Sequence, residues 1–215
     1  MNNLLIEALE DGNPKRVLVA FERSGQVRRA FDNLYWHEDI ACFSCDLAPA
    51  DDDSPRHIQA DAFEAITFHP WDLIIMHPPC TALAVSGNRH YGKGKPKHAQ
   101  RLRSIDYTME LWQTAKTWGD RVAMENPVGV IPMQASQYIQ PWQYGHPESK
   151  KTGLWLYDLP PLTPTDNVKA EFDALPKAQA QRIHYLPPSA DRARLRSETF
   201  EGIAYAMAEQ WGGIL

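Results

Sequence analysis

The sequence predicts a single α/β domain with a mostly parallel sheet and helices on both faces. Three observations predict it. Short apolar, β-branched runs alternate with helical patterns through the first 130 residues, the order expected of a sheet built from strand-helix-strand units. The run Asp72-Leu73-Ile74-Ile75-Met76 is apolar on both faces, as a central parallel strand must be when helices cover both sides. A chain of 215 residues, 43% of them hydrophobic, is large enough to close one core.

Residues 1–13 carry the spacing of a short amphipathic helix (Leu4, Leu5, Ala8, Leu9) that ends near Gly12. Arg16 to Phe21 is a compact strand, Ser24-Gly25 a tight turn, and Gln26 to Leu34 a helix. Ile40 to Asp46 and His57 to Asp61 are two further apolar runs, each ending on an aspartate. The Asp72 strand runs into His77-Pro78-Pro79-Cys80, and a basic, glycine-containing stretch from Gly87 to His98 precedes a long helix through Trp118. Arg121 to Pro127 is another strand with a polar end. Residues 14–130 are thus read as the core. The proline-rich stretch 131–195 is read as decoration, and residues 196–212 as a C-terminal helix packing back on the core.

Composition excludes several classes. The net charge of −5 argues against a protein held to nucleic acid by bulk electrostatics, so any such contact is local. The three cysteines cannot form a disulfide framework and no secretory signal is visible, which points to the cytoplasm. No apolar run approaches the ~20 residues of a membrane span. Cys42 and Cys45 have redox or metal spacing but lie inside a strand pattern without a second ligand pair, so they read as core and no metal is expected.

In a parallel sheet, ligands gather at the carboxyl ends of the strands. The polar residues that end these runs are Asp46, Asp61, Cys80 and Glu125, so they should share one rim. Two prolines restrict the backbone before Cys80 and aim its thiol. A fixed thiol facing a strand-end carboxyl is the equipment of covalent nucleophilic chemistry.

These residues resemble a known family. Phe21-Glu22-Arg23-Ser24-Gly25 resembles the cofactor loop of DNA cytosine-5 methyltransferases, His77-Pro78-Pro79-Cys80 with Ser86-Gly87 their nucleophile segment, and Glu125-Asn126-Pro127 their Glu-Asn-Val segment. Lys151 to Leu156, Leu159 to Thr165 and Arg196 to Ala208 are similar to stretches in the small phage and prophage members. The similarity spans roughly residues 16–211. Two departures stand out. Glu22-Arg23 replace a small residue and glycine in the cofactor loop, and Gln181 to Arg196 leaves no room for a target-recognition domain.

The resemblance implies a Rossmann-like, S-adenosylmethionine-dependent methyltransferase sheet and transfer of a methyl group to carbon 5 of cytosine in DNA, in the cytoplasm of a bacterial host. Cys80 would add to the pyrimidine ring and Glu125 would hold the base. Phe21, Ser24, Gly25 and Pro78 would line the methionine part of the cofactor, Asp46 would take the ribose hydroxyls and Asp61 the adenine amino group. The arginine on the cytosine oxygen is assigned to Arg182, with Arg192, Arg194 and Arg196 as alternatives. Ser86, Arg89, Lys93, Lys95 and Lys97 form a basic flap for DNA, and a second copy of the chain or a separate partner would add specificity. The rival readings are a related pyrimidine carbon-5 transferase, of hydroxymethyl type or acting on a free nucleotide, and an inactive methyltransferase fold that serves as a binding module. An amino-group methyltransferase is disfavoured, because Cys80 stands where such enzymes place a stacking aromatic.

Overall fold

A computed structural model describes residues 14–35, 40–189 and 191–215. The helix read over residues 1–13 lies outside them. Among the described residues, seven strands form one sheet: β1 (Lys15–Ala20), β2 (Ile40–Asp46), β3 (His57–Gln59), β4 (Trp71–Met76), β5 (Gly119–Pro127), β6 (Gln137–Ile139) and β7 (Thr152–Tyr157). Their order is β3-β2-β1-β4-β5-β7-β6, and helices cover both faces, so the α/β class is as expected. β1 to β5 pair in parallel, while β7 runs antiparallel to both β5 and β6.

The period-2 alternation of each strand divides its side chains between two core layers. Leu18, Phe43, Cys45, Ile74 and Met76 face one layer. There they meet α2 (Ala62–Phe68) and, beyond the short α3 (Asn88–Tyr91), the long α4 (His98–Trp118). Val17, Val19, Cys42, Leu73 and Ile75 face the other, under α1 (Gln26–Leu34) and the last helix. Burying each such aliphatic side chain contributes about 1.5–3 kcal/mol, so both faces of the apolar runs are used. Cys42 and Cys45 are packed into opposite layers, and burial pushes the Cys45 thiol up to about 12.

Among the described residues, four short helices follow β7: α5 (Lys169–Ala174), α6 (Lys177–Ala180), α7 (Arg182–Tyr185) and α8 (Arg192–Ser197). The last helix, α9 (Glu201–Gly212), lays Ile203, Met207 and Trp211 against Val27 and Phe31 of α1. One boundary needs correction. The stretch 131–195 is not decoration throughout, because β6 and β7 belong to the sheet. Its prolines flank Thr152–Tyr157 rather than interrupt it, so the strand keeps every N–H it needs for the ladder. Among the described residues, no helix is long and apolar enough to cross a membrane.

The strand order reverses between β1 and β4, which neighbour each other while their connections leave to opposite sides. That is where an open α/β sheet forms a crevice outside its carboxyl ends. The loops that flank it are Phe21 to Gly25 after β1 and His77 to Cys80 after β4.

Candidate active site

The loop after β1 is under conformational strain. Phe21 has φ 62°, a left-handed backbone uncommon for a bulky residue, and Gly25 has φ 66° as the N-cap of α1. A Cβ on Gly25 would lie 2.6 Å from the Arg28 guanidinium. Glu22, 4% exposed, turns inward and accepts hydrogen bonds from the Val27 N–H at 2.5 Å and the Arg28 N–H at 3.2 Å. It therefore satisfies two of the free N–H groups at the start of α1. Ser24 is half-buried beside it.

Asp46 is the last residue of β2, and one carboxylate oxygen accepts from the Ala48 N–H at 2.9 Å. Its other oxygen makes no hydrogen bond among the described residues. Leu47 follows with 72% of its surface exposed, an apolar side chain standing open beside an acid at a strand mouth. Asp61 N-caps α2 through the Phe63 N–H at 2.9 Å. Its charge acts on Tyr107, which crosses Phe63 edge-to-face and lines a cleft of about 300 Å³ with Pro79, Arg103 and Thr108.

Cys80 and Glu125 arrive from neighbouring strands whose ends are stitched together. Asn126, 1% exposed, donates its Nδ2 hydrogen to the Pro78 carbonyl at 2.8 Å. Ala84 bridges Gly129, with the Val85 N–H donating to the Val128 carbonyl at 3.1 Å and the Val130 N–H to the Leu83 carbonyl at 3.0 Å. The Cys80 carbonyl closes its own turn by accepting from the Leu83 and Ala84 N–H groups. The backbone that carries Cys80 is therefore fixed relative to the end of β5, which carries Glu125. Pro78 is buried behind it and Pro79 exposed.

The charges around the pair oppose one another. Burial pushes the Cys80 thiol up and the Glu125 carboxylate pushes it further, while Lys150 and Arg196 pull it down. At Glu125, burial would raise the carboxyl. The hydrogen bond from His77, the Lys150 charge and Thr152 outweigh it and hold the acid below its usual range. His77 Nδ1 lies 3.3 Å from Glu125 Oε2.

The arginines divide differently from the first assignment. Arg182 pairs with Glu148 at 2.9 Å with 54% of its side chain exposed, and Arg194 pairs with Glu198 at 2.6 Å. Arg192 is half-buried. Arg196, half-buried, is the guanidinium whose charge reaches Cys80. Lys150 is a functional candidate that sequence reasoning missed. Its Nζ donates to the Glu198 carbonyl at 3.0 Å, and it reaches the site because β7 pairs Thr152 with Pro127, just past Glu125.

Ser86, Arg89, Lys93, Lys95 and Lys97 are all exposed on the segment after the nucleophile. Buried Tyr91 anchors that segment, and Arg101 donates to the carbonyls of Ala82 and Ala84 and to Asn88 Oδ1. Lys97 sits 5.6 Å over the Tyr91 ring.

No protein-family model matches the sequence, and no curated protein matches it. Among solved structures, that of the Entamoeba histolytica methyltransferase EhMeth overlays with a TM-score of 0.48 at 11% identity. The overlay covers 73% of this chain and 58% of that one, so this chain spans less than two thirds of that structure's length. A likeness at that level carries no inference about function.

Proposed function

We propose that this chain is an S-adenosylmethionine-dependent methyltransferase that alkylates carbon 5 of cytosine in DNA through a covalent Cys80 adduct. The observation that carries it is the pairing of Cys80 with Glu125 across two stitched strand ends, with Lys150 and Arg196 acting on the thiol. Carbon 5 of cytosine is a poor nucleophile. Addition of the Cys80 thiolate at carbon 6 turns the ring into an enamine, while Glu125 holds ring nitrogen 3 and the amino group. Arg196 and Lys150 would offset negative charge on the thiolate and the ring oxygen.

The residues at the first two strand ends fit the cofactor. The unpaired oxygen of Asp46 suits a ribose diol, exposed Leu47 suits a purine face, and the cleft beside Asp61, Tyr107 and Pro79 suits the adenine edge. Phe21, Ser24 and Gly25 would border the methionine part. When bound, the cofactor supplies an electrophilic methyl group. The exposed Ser86, Arg89, Lys93, Lys95 and Lys97 would meet DNA phosphates.

The test is to express the chain and its C80S variant and to digest host DNA and nucleotide pools to nucleosides for mass analysis. 5-Methylcytosine in DNA that vanishes with C80S supports the reading. A hydroxymethyl product, or a modified free nucleotide, would move the same Cys80 and Glu125 chemistry to another substrate. Calorimetry checks the cofactor separately, with Asp46→Ala expected to weaken it by about 1–3 kcal/mol through lost hydrogen bonds.

A further inference from the structure

His77 has no part in the adduct or the cofactor site, yet it is the most enclosed titratable group beside Glu125. Its backbone N–H donates to the Ala20 carbonyl at 3.0 Å, which pins it across the crevice on β1. Its imidazole is 7% exposed, beside Glu125 and within the electrostatic reach of a second acid. Nδ1 is 3.3 Å from Glu125 Oε2. The second acid is buried Glu22, where burial raises the carboxyl and the His77 charge is the strongest influence opposing it. The remaining charges at the two acids are Lys150 at Glu125 and Arg28 at Glu22. Nε2 of His77 and Oδ1 of Asn126 are both buried without a hydrogen-bond partner among the described residues.

Nitrogen 3 of cytosine is a hydrogen-bond acceptor, and so is an ionised carboxylate, so the two repel unless a proton sits between them. The adduct sharpens the need. As the thiolate pair forms the sulfur–carbon 6 bond, the carbon 5–carbon 6 π pair moves to carbon 4–carbon 5. The carbon 4–nitrogen 3 π pair then moves onto nitrogen 3, which takes a proton.

Resting on the cytosine reading above, we infer that His77 is the positioning residue that supplies Glu125 with this proton. The Nδ1–H of the imidazolium passes to Glu125, and Glu125 passes a proton to nitrogen 3. Once carbon 5 has taken the methyl group, its proton leaves to water, the pair of that carbon–hydrogen bond re-forms the carbon 5–carbon 6 double bond and expels the Cys80 thiolate, and the nitrogen 3 proton goes back through Glu125 to His77. No external acid is consumed. The Glu22 charge also acts on the imidazolium.

The experiment has two arms. In the first, ¹⁵N-histidine NMR of the free protein reads the protonation of both ring nitrogens without any substrate. Protons on both Nδ1 and Nε2 of His77 are expected in the wild type, and E125Q, which removes the balancing carboxylate, should leave only one. In the second, the pH–rate profiles of wild type and H77N are compared. The asparagine amide keeps a donor near the Nδ1 position but cannot titrate. H77N should bind S-adenosylmethionine as the wild type does, lower kcat about 100-fold with little change in KM, and lose the limb that falls with rising pH. H77N with wild-type kcat and an unchanged profile overturns the inference, as does a bare Nδ1 in an active wild type. Should H77N not fold, the NMR arm decides. A proton on Nδ1 in a wild type that makes no cytosine product refutes the substrate reading and, with it, this destination for the proton.

Discussion

At the scale of single residues, the site sets Cys80 between opposing charges, and its thiol reports on them directly. Burial and Glu125 hold the thiol protonated, and Lys150 and Arg196 work against them. E125Q should therefore speed alkylation of Cys80 by iodoacetamide several-fold near neutral pH, and K150M should slow it by a similar factor, since the thiolate is the reacting form. Mass analysis of the Cys80 peptide after timed quenching measures both, and equal rates in all three proteins would show that these charges do not reach the thiol. Cys80 and Glu125 stood out in the sequence because one follows an apolar run behind two prolines and the other closes one. Asp61 was read as a strand-end acid, but β3 closes at Gln59 and the residue N-caps α2 instead. Lys150 was illegible because its approach to Glu125 depends on a reversed strand, which no local pattern announces. Arg182 was indistinguishable from Arg196 by composition, and only its partner Glu148 separates them.

At the scale of elements, the nucleophile loop owes its position to a close backbone approach at Gly129. A Cβ there would meet the Leu83 carbonyl oxygen at 2.5 Å, and neither backbone can yield without breaking the bridge between Ala84 and Gly129. Gly129→Ala should destabilise the fold by about 1–3 kcal/mol and lower Cys80-dependent activity by more than the stability loss alone explains. Urea unfolding and single-turnover rates on the same preparation check this, and a silent substitution would mean the loop is not held there. Strands β1 to β5 and helix α1 were legible from period and length, with ends displaced by a residue or two. β6 and β7 were not, because a three-residue strand has no periodicity and the surrounding prolines suggest irregular chain.

For the whole molecule, the distribution of charge matters more than its sum. Asp52 and Glu125 are each held below the ordinary carboxylate range: burial alone would raise both, but Arg29 and Arg28 prevail at the first, and His77 and Lys150 at the second. A depressed acid contributes stability above its unfolded value, near 4, and that stability is lost as pH falls through the folded value. Thermal melts should therefore drop in acid below pH ~4, and E125Q should show a shallower drop. The net charge of −5 leaves DNA contact to local cations. Neutralising Lys93, Lys95 and Lys97 together should weaken DNA binding for every sequence and flatten its salt dependence by about 0.9 in log–log slope per lost phosphate contact. Cofactor affinity measured by calorimetry should not move, and an unchanged salt slope would place the DNA elsewhere. The packing of α9 on α1 also governs the timing of synthesis. The apolar face of α1, with Val27, Ala30 and Phe31, leaves the ribosome early, but the part of its cover that is not sheet arrives with residues 201–212. At about 5–20 residues per second the nascent chain carries that face uncovered for on the order of ten seconds. During that interval it is a client for chaperones, and a chain that stalls before α9 is marked for proteolysis by the same open surface.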